Sequence, residues 1–450
     1  MTDKLQVQRT ALGRYKSYPS YKDSGVEWLG EIPAYWQFMP LKHLCKRSGL
    51  YGANEPAEAY IEEGVRFLRT TDISDKGGLV RDGVYLSFET VSDYILQTGD
   101  LLFSRSGTIG RSFLYDQVRH GLCAYAGYLV RFVPGPEFFP LFGFYFTKSL
   151  QFEHWATTSV ISSTIGNVNA QKYANMPCPK PPLAEQKAIS AFLDRETAKI
   201  DSLIDKNERL IELLQEKRKA LITQAVTKGL NPNVPTKDSG VEWLGKIPAH
   251  WEVKQLRHVG IAIIGLTYEP ADVVGPDEGV LVLRASNIYD GHIVLEDNVF
   301  VKRSIPNRLN TKVGDILICA RSGSRALIGK SAMIDKALVG LTFGTFMMVF
   351  RSTCNDYLFY AFNSTLFSYQ SGAFLTSTIN QLTLSNLNSF TVPVPPHDER
   401  AAIAAFLDRE TAKIDSLVAK IHEAIDRLKE YRNTLISAAV TGRIDVREAQ

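Results

Sequence analysis

AFLDRETAKIDSLI at 191–204 returns as AFLDRETAKIDSLV at 405–418, identical at thirteen of fourteen positions. A chain that spells one helical stretch twice, about half its length apart, reads as two large copies rather than an array of short repeats. A second pair gives almost the same offset: KDSGVEWLGEIPAYW at 22–36 reappears as KDSGVEWLGKIPAHW at 237–251, identical at thirteen of fifteen positions. Landmarks persist between these anchors. RFLRTTDIS at 66–74 matches LVLRASNIY at 281–289, and GDLLFSRSGTIG at 99–110 matches GDILICARSGSRALIG at 314–329. FYFTKSLQF at 144–152 resembles FYAFNSTLF at 359–367, and SSTIGN at 162–167 resembles TSTINQ at 376–381. Each copy closes on a double proline, Pro181-Pro182 and Pro395-Pro396.

The variable regions are short β-branched or apolar runs (VRFLR, DLLFSR, VLVLR, DILICA) punctuated by Gly, Asp and Asn, with one helical stretch late in each. That pattern predicts an α+β (mixed α/β) domain of about 140 residues in each copy. After each double proline the pattern becomes long helix. Ile189, Leu193, Ile200, Leu203, Leu210, Leu214, Leu221 and Ala225 form one stripe, broken at Glu196, Asn207 and Lys217. Ile403, Leu407, Ile414, Leu417, Ile421, Ile425, Leu428, Leu435 and Ala439 form the other. Stripes sustained over several turns predict a coiled-coil seam, each helix burying its stripe against the other copy. The expected fold is two globular domains on an antiparallel coiled coil, a tandem duplication with pseudo-twofold symmetry. The expected boundaries are a segment at 1–21, a first domain with its lead-in block at 22–182 and a helix at 183–228. A linker at 229–236, a second domain at 237–396, a helix at 397–442 and a tail at 443–450 complete the chain.

With 45% apolar and 22% charged residues the chain has a globular composition, and its formal charge of +3 makes any basic surface a local one. Five scattered cysteines without a C-x-x-C pair predict a reduced protein with no zinc site. No signal-peptide pattern or membrane-length apolar run is evident, so a cytoplasmic protein without membrane contact is expected. GSRALIGKS at 323–331 imitates a phosphate-binding loop, but five residues instead of four separate Gly323 from Gly329. No amino-methyltransferase motif, nuclease carboxylate cluster or nucleophile–base set stands out. No catalytic, cofactor or metal residue is assigned.

The paired G-V-E-W-L-G-x-I-P-x-x-W blocks, P-P-L-A-E-Q and F-L-D-x-E-T-x-K-I-D-x-L, with the closing AAVTGRIDVRE at 438–448, resemble the specificity subunits of type I restriction-modification systems. The resemblance spans nearly the whole chain. It implies a non-catalytic DNA-binding subunit whose two target-recognition domains each read half of a bipartite site, the helices acting as a ruler. It further implies double-stranded DNA, two methyltransferase subunits and restriction (translocase and nuclease) subunits as partners. S-adenosylmethionine, ATP and Mg are then expected on those subunits and no cofactor on this chain.

Polar and basic positions in the shared landmarks are the DNA-contact candidates: Arg69, Thr70 and Thr71 with Arg284, Ser286 and Asn287; Arg105, Ser106 and Thr108 with Arg321, Ser322, Ser324 and Arg325; and Ser163, Thr164 and Asn167 with Ser377, Thr378 and Asn380. Arg suits guanine and Asn adenine, while Ser and Thr suit phosphate. The alternative is that shared features hold the fold and the unshared residues read bases. Trp28 and Trp243, embedded in the repeated blocks, are expected to pack on the helix ends and form a docking surface. Leu193, Ile200, Leu203, Leu407, Ile414 and Leu417 are the expected scaffold. A structural adaptor spacing two protein partners is the competing function.

Overall fold

The computed structural model describes residue 13 and residues 15–80, 82–159, 167–289, 291–324, 327–374 and 381–447. The chain divides into two compact units, Met1–Asn207 with His422–Gln450, and Glu208–Ile421. The division falls inside the long helices Leu183–Lys228 and His397–Val440 instead of at their starts. Each unit therefore holds a globular domain together with part of both helices.

The first unit opens on a hairpin, Tyr21–Asp23 against Glu31–Pro33, in which Gly25 and Gly30 take φ of 73° and 74°, a region other residues enter only with strain. The chain then enters and leaves the domain side by side, Gln37–Pro40 pairing antiparallel with Pro177–Lys180. Between these strands lies a four-stranded antiparallel sheet ordered Cys45–Tyr51, Leu129–Pro134, Leu101–Ser104, Ser112–Leu114. A three-stranded sheet places Val65–Leu68 between Tyr85–Leu86 and a parallel strand, Cys123–Tyr125. Helices Pro140–Phe146 and Leu150–Thr158 cover the larger sheet, where Phe103 meets Phe132 and Tyr173 at ring separations of 5.4 and 4.8 Å. Each such buried ring contributes about 1.5–3 kcal/mol.

The second unit repeats the plan. Its hairpin is Thr236–Asp238 with Lys246–Pro248, and its clasp Glu252–Gln255 with Thr391–Val394. Its larger sheet runs Ile261–Ile264, Met347–Arg351, Ile316–Cys319, Ser331–Met333, and its second sheet again pairs Val280–Leu283 in parallel with Thr342–Phe343. The Gly-Asp shared by the two copies has one task in both. Asp100 accepts the Gln97 amide at 2.6 Å and pairs with Arg131 at 2.7 Å; Asp315 accepts the Lys312 amide at 2.9 Å and pairs with Arg351 at 2.6 Å.

In each unit the two helices pack antiparallel. Asp201 meets Arg432 in the first unit, where the start of one helix and the segment after the end of the other both reach Tyr18. Arg218 meets Asp415 in the second, where Gly229, just past one helix, lies against Glu399 at the start of the other. The two ion pairs join equivalent residues of the duplication. The buried stripe differs in phase from the expected one. Leu193, Ile200, Leu407 and Ile414 are buried as expected, but Leu203 and Leu417 are 48% and 44% exposed. Ile204 (2% exposed) takes the seam position, and the partly buried Asn207 and Arg218 continue its three-four spacing. Leu203 and Leu417 each adjoin an apolar residue, Ile204 or Val418, that is less exposed, so an apolar count alone slips the phase by one.

The lead-in block does pack on the helix ends, though through its second tryptophan. Trp36 and Trp251 are fully buried, whereas Trp28 and Trp243 are half-buried, Trp243 against the Tyr369 ring at 5.6 Å. The Trp251 indole N–H donates to Glu399 at 3.0 Å, and His250 lies 2.7 Å from the same carboxylate. In the first unit Tyr18 and Tyr35 donate to the equivalent Glu185 at 2.5 and 3.1 Å. A first-turn carboxylate, already favoured by the helix dipole, thereby locks the block to the helix.

Candidate nucleic-acid interface

Of the three landmark strings in each copy that hold DNA-contact candidates, two meet around one β-turn that the sequence alone does not single out. In the first unit the turn is Ala126–Gly127–Tyr128–Leu129, closed by the Leu129 amide on the Ala126 carbonyl at 2.8 Å. The Ala126 amide donates to the Leu68 carbonyl, one residue before Arg69, at 2.9 Å. The Arg105 amide donates to the Tyr128 carbonyl at 3.1 Å, and Ser106 bridges Asn167 of the third string. In the second unit the turn is Gly344–Thr345–Phe346–Met347, closed at 2.8 Å. The Gly344 amide bonds the Leu283 carbonyl at 3.0 Å, the Arg321 amide bonds Phe346 at 3.0 Å, and Arg321 bridges Gln381. Ser163, Thr164, Arg325, Ser377, Thr378 and Asn380 lie outside the described residues.

The remaining candidates divide by how their side chains are used. Arg69 is spent on its neighbour, its Nε and Nη2 donating to Asp72 at 3.0 and 2.9 Å. Arg284 likewise pairs with Asp297 at 2.9 Å. Asn287 is a correction to the expected adenine reader. Its side chain is fully buried, its oxygen accepts the Arg284 amide at 2.9 Å, and its amide nitrogen donates to the Val294 carbonyl at 2.9 Å. It caps a turn, as Asp72 does at the equivalent place, so no edge remains for a base. Thr71, Ser286 and Ser324 are exposed, while Thr70, Ser106, Thr108, Asn167 and Ser322 are partly buried. Ser322 accepts the Ser324 amide at 3.2 Å, and Thr108 lies 3.2 Å from the Ser104 hydroxyl.

Arg105 and Arg321 are disposed differently, with each guanidinium lying over an aromatic ring. Arg105 covers Tyr51 at 5.0 Å and Arg321 covers Phe346 at 5.2 Å. Tyr51, Tyr128 and Phe346 are themselves 43%, 62% and 52% exposed. Each unit thus gathers an arginine, one exposed aromatic ring or two, and hydroxyl-bearing turns on a fixed backbone, a set suited to nucleic acid. The signal was present in AYAGYLV and TFGTFMM, an aromatic held one or two residues after glycine in both copies.

A second basic feature of the first unit is a cleft of about 730 Å³ lined in part by Asp75, Lys76, Arg111, Lys148, Asp201 and Arg432. The Lys148 ammonium donates to the Asp75 and Ser112 carbonyls at 3.0 and 3.2 Å. Burial, reinforced by Arg432, lowers its pKa from 10.5 to about 7. Between those values the unfolded chain holds the proton and the folded chain releases it, so stability rises with pH across that window. The urea midpoint of the wild type is therefore expected to rise relative to Lys148→Met between pH 7 and 9. A pH-independent difference would show that the amine is not desolvated.

The phosphate-loop imitation at 323–331 leads into the strand Ser331–Met333 rather than a helix, so it lacks the helix N-terminus that the motif requires. Among the described residues no His, Cys, Asp and Glu group is placed to hold a metal, and no helix is long and apolar enough to cross a membrane.

The model of the type I restriction modification DNA specificity domain matches residues 33–213 and 277–427. A putative type I restriction enzyme MjaX specificity subunit of Methanocaldococcus jannaschii is 24% identical over 450 residues, covering 93% of this chain and 96% of that protein. The EcoKI specificity subunit of Escherichia coli K12 is 28% identical over 208 residues, and the MjaVIII specificity subunit of M. jannaschii 26% over 294. In those two alignments the chain spans 44% and 65% of its relative's length. A chain from a solved structure titled for complex assembly and conformational transition of the type I R-M system superposes with a TM-score of 0.66 at 19% identity. It covers 92% of this chain and 99% of that one, and shows a shared fold.

Proposed function

The chain belongs to the type I restriction-modification DNA specificity family, and on that premise we propose that it is a non-catalytic subunit reading a bipartite duplex target, one half per recognition domain. The observation that carries this reading is the duplicated turn, with the shared landmark strings and an arginine–aromatic stack assembled around it in each unit. Arginine and hydroxyl groups supply phosphate and base-edge contacts, and two short half-sites together supply the specificity. Catalysis is assigned to partners. Two methyltransferase subunits bring S-adenosylmethionine, and restriction subunits bring ATP, Mg, translocation and cleavage. The lead-in blocks with Trp28 and Trp243 help dock the methyltransferase subunits.

Electrophoretic mobility shift with random duplex, using the chain alone and with candidate methyltransferase subunits, tests the reading. Retardation of the duplex, weakening with salt, is expected; assembly of the subunits with no duplex bound under any condition would favour the protein-spacing adaptor. The helices are further proposed to set the spacer. Ile204 lies opposite the region of Lys429, given the Asp201–Arg432 pair. Matched insertions of seven residues after Ile204 and after Leu428 keep both stripes in phase and add about 10 Å of helix. The preferred spacer should lengthen by about three base pairs at 3.4 Å each. An unchanged spacer would remove the ruler from the proposal.

A further inference from the structure

We propose that Tyr128 and Phe346 are base-step wedges, one ring entering the stacked bases of each half-site. The proposal rests on the DNA reading above and adds a way in which the half-site is engaged. Both rings occupy the third position of the same hydrogen-bonded turn, Ala126–Leu129 and Gly344–Met347. Both face solvent, whereas the neighbouring aromatics Tyr125, Phe132, Phe343 and Phe350 are at most 2% exposed. An exposed ring at a turn tip gains little from folding, yet both copies place one there although the flanking sequences differ.

The backbone beneath each ring is fixed. The turn closes on itself, is tied through its first amide to the carbonyl before Arg69 or Arg284, and accepts the amide of Arg105 or Arg321. The wedge is therefore preorganised and can act without a loop first being ordered. Charge completes the chemistry. The Arg321 guanidinium lies over Phe346 itself, and the Arg105 guanidinium lies over Tyr51 while its amide holds Tyr128. A ring beside a cation matches a base step beside its phosphate, the arrangement by which inserted side chains unstack and kink a duplex. A protein partner would favour a continuous apolar patch, whereas Phe346 lies under an arginine and the Tyr128 carbonyl holds the amide of another.

The test uses the full chain assembled with its methyltransferase subunits and duplexes carrying the cognate site, identified by mapping methylated adenines. 2-Aminopurine replaces an adenine other than the methylated one, which methyltransferases themselves flip out of the stack, in one half-site at a time, and its fluorescence reports unstacking. Wild type should raise the signal in both halves. Tyr128→Ala should abolish the rise in one half only and Phe346→Ala in the other, each weakening binding by roughly tenfold or more, as loss of a base–aromatic stack does. The slope of log affinity against log salt should stay unchanged, because no phosphate contact is removed. Tyr128→Phe should retain the wild-type signal, and unaltered melting of all variants should exclude unfolding as the cause. Binding by the alanine variants with the fluorescence rise intact would overturn the wedge and leave the DNA reading standing. A fall in salt slope without loss of the rise would likewise overturn it, in favour of a backbone contact. Failure of the wild-type assembly to bind any duplex would overturn both.

Discussion

Trp251→Ala is expected to lower the stability of the second unit by about 3–5 kcal/mol, the usual loss for removing a fully buried large aromatic. The indole lies in one cluster with Ile222 and Ala225 of the first helix, Ile403 and Leu407 of the second, and Tyr357 of the recognition domain. Its removal opens a cavity where three parts of the unit meet. It also takes the indole donor from Glu399. Gly229, at φ of 73°, has its Cβ direction 3.2 Å from the ring, so the turn that ends the helix is built against this side chain. Trp36→Ala is expected to do the same to the first unit, where the ring lies 3.1 Å from the corresponding position of Gly442. Denaturant unfolding of the full chain followed by circular dichroism checks this. One transition should move in each variant and the other stay, and a loss under about 1 kcal/mol would mean that the block does not hold the helix ends.

Asp100→Ala carries the second large expectation, a loss of about 3–5 kcal/mol, because it leaves the Arg131 guanidinium charged and unpaired in the interior. The pair is 1% and 7% exposed, and Arg131 is further held by the Ile95 carbonyl at 3.1 Å. Burial raises the Asp100 pKa, and the Gln97 amide and Arg131 only partly offset this, so the charge is retained against a desolvation penalty. The double change Asp100→Leu with Arg131→Met should accordingly recover most of the single-mutant loss. Losses that simply add would show that the two groups act independently. Asp315 and Arg351 offer the same comparison in the second unit, where Arg351 is 24% exposed and the single loss should be smaller.

The duplication and the helices could be read from the sequence because their signal is local, in near-identical blocks and sustained apolar spacing. The seam is not legible at Leu203 and Leu417 because each stands beside another apolar residue, Ile204 or Val418, and an apolar count cannot choose between neighbours; in the first helix the polar Asn207 and Arg218 further hide the true phase. Trp28 and Trp243 drew attention as repeated tryptophans, but Trp36 and Trp251 repeat equally, and only packing distinguishes them. The landmarks were found because both copies share them, yet sharing marks structure as readily as contact: Asn287, Arg69 and Arg284 serve their own turns. The Tyr128 and Phe346 turns escaped notice because strands distant in sequence, ending at Leu68 and Leu283, are what bring them to the landmarks.

The central claim, one half-site per recognition domain, is tested most directly by mapping methylated adenines across a genome exposed to this chain and its methyltransferase subunits. The map should be compared with one from a variant whose residues 252–394, from the first clasp strand of the second unit through the second, come from a relative. Two short defined halves around a fixed unspecified spacer, with one half rewritten by the exchange and the other retained, is the expected result. A single contiguous motif, or an exchange that rewrites both halves, would contradict it.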